Sequence, residues 1–174
     1  MIFGRVLCIA ASSLLLSCSP HTETDAGPDA PSIVGNIDHI GLATIVDGDT
    51  LDIGDNRYRF DGMDTPERGS YCGDINVYDE AALVLAGLVD GLNVKCEPTG
   101  KKNGNRLIAS CFALVPGVAR ISLSESLVAQ GWARDWPKYS RGRFAALEQE
   151  ARESGAGIWG LDCPDDLWGD RDYN

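Results

Sequence analysis

The residues best suited to chemistry fall in three short segments. Asp47-Gly48-Asp49-Thr50 sets two carboxylates around a glycine. An EF-hand loop would need Asp or Asn at the fifth position and Gly at the sixth, where Leu51 and Asp52 stand, so taken alone the segment reads as a polar turn. Arg59-Phe60-Asp61-Gly62-Met63-Asp64-Thr65-Pro66-Glu67 places a guanidinium ahead of three further carboxylates. Pro66 drives Thr65 toward extended backbone, which makes this a fixed, non-helical loop. Asp49 and Asp64 together offer hard oxygen ligands, which suit calcium or magnesium and not zinc. Arg106 supplies a second guanidinium. Two guanidiniums, two metal carboxylates and a free Glu67 are the parts a phosphodiester hydrolase needs. The metal polarises the phosphoryl oxygen, the arginine forks neutralise charge building on phosphorus, and a carboxylate takes a proton from water. The competing reading is structural, with Arg59–Asp64 and Arg106 with a nearby acid as plain surface ion pairs. His21 and His39 are the only histidines, which disfavours a His-based metal site or a Ser-His-Asp triad.

These residues need a scaffold, and hydrophobic period and turn signals outline one. Residues 40–47, 50–53 and 57–60 read as three short strands separated by Asp47-Gly48-Asp49 and Gly54-Asp55-Asn56. Residues 76–90 switch to helical period, with Val77, Ala81, Val84, Leu85 and Leu88 on one face and Asp79 and Glu80 in the first turn. Residues 93–97 and 106–114 read as two more strands across the turn 98–105. Ser122 and Glu125 form a capping box for a second helix that carries Leu123, Leu127 and Val128 and ends at Gly131. A third helix spans about 143–154, with Phe144, Leu147 and Ala151 inward. Three strands, a helix, two strands and two helices make an α+β chain with the pattern of a five-stranded OB-fold β-barrel.

Five segments in order make the chain recognisable: Val46-Asp47-Gly48-Asp49-Thr50, Arg59 with Asp64-Thr65-Pro66-Glu67, Arg106-Leu107-Ile108-Ala109, Leu127-Val128-Ala129-Gln130-Gly131-Trp132-Ala133, and Gly157-Ile158-Trp159. Across residues 36–161 the chain resembles the thermonuclease (staphylococcal-nuclease-like) family. That resemblance implies an OB-fold and a calcium-dependent endonuclease acting on DNA and RNA, leaving 3′-phosphate ends. By position it implies Asp49 and Asp64 as calcium carboxylates, Thr65 as a backbone-carbonyl ligand, Arg59 and Arg106 as catalytic arginines, and Glu67 as general base. The chain departs from the family where Gly104-Asn105-Arg106 replaces the usual Tyr-Gly-Arg. Should the hairpin register on Gly104, Asn105 would take the arginine position. Trp136, Pro137 and Tyr139 fall where tyrosines are frequent; Tyr139 is a candidate base-stacking residue, or a tyrosine packed on the barrel. Lys101 and Lys102 are candidate phosphate contacts or a solvated turn. Trp132 and Trp159 read as core.

The chain ends suggest how the domain is presented. Arg5 and the apolar run Val6–Leu16 resemble a signal peptide (residues 1–17), and Leu15-Leu16-Ser17-Cys18 resembles a lipobox, so Cys18 is expected to carry acyl chains. Residues 18–35, acidic and Pro-rich, read as a tether. The expectation is an exported, membrane-anchored monomeric lipoprotein facing the periplasm or the exterior, with residues 162–174 as an acidic tail. The 44% hydrophobic content fits a globular body. Four cysteines remain in that body, and export implies disulfides. Cys96–Cys111 would staple a hairpin, leaving Cys72–Cys163. The net charge of −11 opposes binding of polyanions; residues 36–161 hold 13 Lys and Arg against 18 Asp and Glu. It supports the rival reading of a catalytically silent OB-fold module that binds nucleic acid or protein.

Overall fold

The computed structural model describes residues 39–164, 166–169, 171 and 173. The signal segment, Cys18 and the tether lie outside the described residues. The chain runs β1 (Ile40–Leu42), β2 (Thr44–Asp47), β3 (Thr50–Ile53), β4 (Asn56–Phe60), β5 (Met63–Asp64), β6 (Tyr71–Cys72) and β7 (Ile75–Asn76) into α1 (Val77–Val89). It continues with β8 (Asn93–Asn103), β9 (Arg106–Leu114), β10 (Ile121–Ser122), α2 (Leu123–Ala129), β11 (Arg134–Asp135), α3 (Pro137–Ser140), α4 (Ala145–Ser154) and a 3-10 turn at Gly157–Gly160.

The principal sheet has the path β1-β8-β9-β4-β3-β2, with β10 added on β9. Its pairs are antiparallel except β4 and β9, which run parallel through Arg59↔Ile108. The five strands expected from the sequence thus become seven in this sheet. The expected 40–47 strand breaks at Ala43, pairing β8 with its first half and β3 with its second. Because Ala43 alone separates the two ends of the path, the sheet must curl on itself. The expected turn at 98–105 is mostly strand: β8 runs to Asn103 past an irregularity between Pro98 and Lys102, leaving Gly104-Asn105 as the turn.

Among the described residues four α-helices form where three were expected. The extra one, α3, is a single turn opened by Pro137, too short for hydrophobic period to reveal. In α1 the Asn76 side chain accepts from the Asp79 N–H, and Val77, Ala81, Leu85 and Val89 are buried. Ser122 caps α2 by accepting from the Glu125 N–H at 3.3 Å. The main core gathers Leu51, Tyr58, Phe60 and Val94 from the principal sheet with Met63 of β5, Leu85 of α1, and Leu123 and Leu127 of α2. A second cluster holds Cys72, Val77, Ile158, Leu167 and Trp168. The segment read as an acidic tail therefore contributes buried apolar side chains to the body. Cys96–Cys111 and Cys72–Cys163 are disulfide-bonded, the first across β8 and β9.

Gly131 explains the spacing of two of the sequence segments. It sits at φ +75°, and a Cβ there would lie 2.1 Å from the Ala156 carbonyl oxygen. That backbone crossing lets the Ile158 N–H donate to the Gly131 carbonyl at 3.0 Å.

Candidate active site

The site begins at the Asp47–Thr50 turn. Strand pairing of Thr50 with Arg59 brings Asp49 beside the end of β4, where the Phe60 N–H donates to the Asp49 carbonyl at 2.9 Å. Gly48 allows close packing: a Cβ there would fall 2.8 Å from the Ala81 Cβ and 3.1 Å from the Thr65 Cγ2. The turn therefore seats directly on α1 and on Thr65. Past β4 the chain turns at Gly62, and β5 pairs with β11 through Asp64↔Arg134, which fixes Asp64 against the other side of Arg59.

The product is a buried charge cluster. Arg59 Nη2 lies 2.7 Å from Asp49 Oδ2 and 2.9 Å from Asp64 Oδ1, and its Nη1 donates to Asp49 Oδ1 at 3.0 Å. The Arg59 side chain is 10% exposed, and those of Asp49 and Asp64 are 4% and 0%. The Thr50 hydroxyl donates to Asp49 Oδ1 at 2.7 Å. Burial pushes the Asp49 carboxyl up to about 7, against the pull of Arg59, and the charges of Asp47 and Asp64 add to the rise. Such burial distinguishes the Arg59–Asp64 pair from a surface ion pair, the competing reading of those two residues.

Glu67 stands at the rim, its side chain 44% exposed. Thr65 is buried next to the Asp49 turn. Arg106 is not drawn into the cluster; its Nη2 donates to Asn103 Oδ1 at 3.1 Å. The pairing Asn103↔Arg106 makes Arg106, and not Asn105, the first residue of β9. Ile108 pairs with Arg59, and Arg106 lies two residues before it, so all three share one face of the sheet. By strand geometry the Arg59 and Arg106 Cα atoms are about 8 Å apart, within reach of one phosphate between two long side chains.

On that face Arg59 and Ile108 line a cleft of about 160 Å³ with Lys101, Lys102, Trp136 and Tyr139. Tyr139 is half exposed and stands edge-on to Trp136, with ring centroids 4.7 Å apart. Lys101 and Lys102, read as phosphate contacts or a solvated turn, are exposed strand positions on the wall of this cleft.

Three further participants escape the sequence reading. Arg171 bridges Asp64 and Glu67, and the Tyr173 hydroxyl donates to Asp64 Oδ2. Burial and the Asp64 carboxylate push the Tyr173 phenol up. Arg134 lies over the Tyr173 ring at 3.8 Å. The available signal was Leu167, Trp168 and Tyr173, apolar and aromatic residues in a stretch otherwise read by its charge.

The family model described as staphylococcal nuclease homologue matches residues 57–160. The chain belongs to this family. Within the match lie Arg59, Asp64, Thr65, Glu67, Arg106 and Tyr139; Asp49 precedes it and Arg171 follows it. The chain is also 29% identical over 126 residues to the succinoglycan biosynthesis protein ExoI of Rhizobium meliloti (strain 1021). That alignment takes in 69% of this chain and 64% of ExoI.

Membership in the staphylococcal nuclease homologue family raises the question of a metal. Among the described residues no group of three or more His, Cys, Asp or Glu side chains is arranged to hold one. Two carboxylates do converge. Asp49 Oδ2 and Asp64 Oδ1 contact the same Arg59 nitrogen, and both are hard oxygens. The donor chemistry fits calcium, with backbone oxygen and water required to complete the shell.

Proposed function

We propose that the protein is a calcium-dependent endonuclease that hydrolyses phosphodiester bonds of DNA or RNA and leaves 3′-phosphate ends. The observation that carries this reading is the buried Arg59, fixed between Asp49 and Asp64 at the end of a cleft walled by Lys101, Lys102, Trp136 and Tyr139. Asp49, Asp64 and the Thr65 carbonyl would hold the calcium, which when bound polarises a phosphoryl oxygen. Arg59, oriented by its two carboxylates, neutralises charge on the phosphorane oxygens, and Arg106 reaches the same phosphate from the hairpin tip. Glu67, at the solvent-facing rim, orients and deprotonates the attacking water. Tyr139 stacks on a base, and Lys101 and Lys102 meet flanking phosphates. Beyond the site, the reading includes export, lipid attachment at Cys18, a flexible tether and a monomeric state. Its support is the lipobox-like sequence and the two disulfides of the body.

The second reading is a silent OB-fold module that binds nucleic acid or protein. It is favoured by Arg106 resting on Asn103 and by the net charge of −11. Incubating the protein with single-stranded DNA, in calcium and in chelator, separates the two. Cleavage in calcium alone, with 3′-phosphate ends, supports the nuclease. Calcium binding with no cleavage supports the silent module.

A further inference from the structure

We propose that Arg171, supported by Tyr173, is a built-in competitor for the cation and stands in the place that calcium must take. This rests on the metal-dependent reading above and adds a means of regulating that site. Both Asp64 oxygens are engaged: Oδ1 by Arg59 and Arg171, Oδ2 by the Tyr173 hydroxyl. The Arg171 guanidinium spans from Asp64 to Glu67 Oε1, so it covers a metal carboxylate and the water-activating carboxylate together. With Asp64 0% exposed, a divalent cation reaches it only after Arg171 withdraws.

The segment is built to stay close. Cys163, eight residues before Arg171, is tied by its disulfide to Cys72, five residues beyond Glu67. Leu167 and Trp168 are buried, and the Ser70 hydroxyl donates to the Leu167 carbonyl at 3.1 Å. Gly169 backs onto Glu67, where a Cβ would lie 3.1 Å from its Cγ. Arg134 faces the Tyr173 ring at 3.8 Å, and Trp136 lies 5.4 Å from the same ring. A tethered guanidinium of this kind has a high effective concentration. It lowers apparent cation affinity by the fraction of molecules in which the segment is open, and by linkage the cation must loosen the segment in return.

Calcium titrated calorimetrically into the full chain, into Arg171→Ala and into a chain stopped after Gly169 tests this. The stopped chain keeps Leu167, Trp168 and the disulfide, which guards against a folding failure. Both variants are expected to bind calcium about tenfold more tightly than the full chain. In the full chain, calcium should also speed tryptic cleavage after Arg171, read by mass spectrometry. Equal calcium affinities overturn the competition and leave the metal site standing. Weaker binding by the variants overturns it too, because Arg171 would then support the site. Absence of calcium binding in all three chains overturns the metal reading itself, and this inference with it.

Discussion

Replacing Arg59 with alanine tests the charge cluster most directly. The side chain is 10% exposed and makes three contacts of 2.7–3.0 Å with two carboxylates that are 4% and 0% exposed. Its removal leaves Asp49 without its cation partner in a poorly solvated place, beside an Asp64 that keeps Arg171 and the Tyr173 hydroxyl. Breaking a buried ion pair from one side costs about 3–5 kcal/mol. Asp49 is already pushed up to about 7, so it takes a proton readily and relieves part of that cost. The expected loss at neutral pH is therefore near the lower bound, about 3 kcal/mol. Urea unfolding in chelator should show it as a lower midpoint with an unchanged slope. Calcium should restore part of the loss, because it supplies the missing positive charge. Nuclease activity should still fall by at least about a hundredfold, the cost typical of removing one preorganised charge stabiliser. A variant as stable as wild type in chelator would refute the claim that Arg59 neutralises this pair. Full activity in a folded variant would refute its role in the reaction.

Four other outcomes follow from particular contacts. Tyr139→Ala should weaken single-stranded DNA binding by about 1–3 kcal/mol, seen mainly in KM, since its ring is half exposed on the cleft wall. Gly131→Ala, which combines a positive φ with a 2.1 Å approach to Ala156, should cost about 2–5 kcal/mol in urea unfolding. Removing Cys72–Cys163, with a sequence separation of 91, should cost more than removing Cys96–Cys111, with a separation of 15. Chain entropy sets these losses at about 4–5 and about 3 kcal/mol, and a reversed order in urea unfolding would contradict that account. The raised Asp49 carboxyl makes the calcium-free native state hold more protons than the unfolded chain between its ordinary 3.8 and about 7. That contribution is fully present below the lower value and is lost as pH rises through the upper one. Asp49→Asn should flatten this part of a stability–pH profile measured in chelator.

The sequence alone determined what depends on local chemistry. The cap at Ser122, the apolar face of α1, and the turns around Gly48 and Gly54 follow from residue type and spacing, as do the strand signals. The candidate site residues Asp49, Arg59, Asp64 and Glu67 were legible because their types suit one reaction and their order resembles the family's segments. Tertiary structure decided what depends on register and long-range approach. Only the pairing Asn103↔Arg106 places Arg106, and not Asn105, at the head of β9, since a turn's residues do not by themselves fix a hairpin's register. Only the path of the sheet shows that residues 40–47 break at Ala43 to serve both of its ends. Arg171 and Tyr173 lie over a hundred residues from Asp64, and a count of acidic charges hides them. Their place on Asp64 was set by a disulfide and by the burial of Leu167 and Trp168, long-range contacts that leave no periodic trace in sequence.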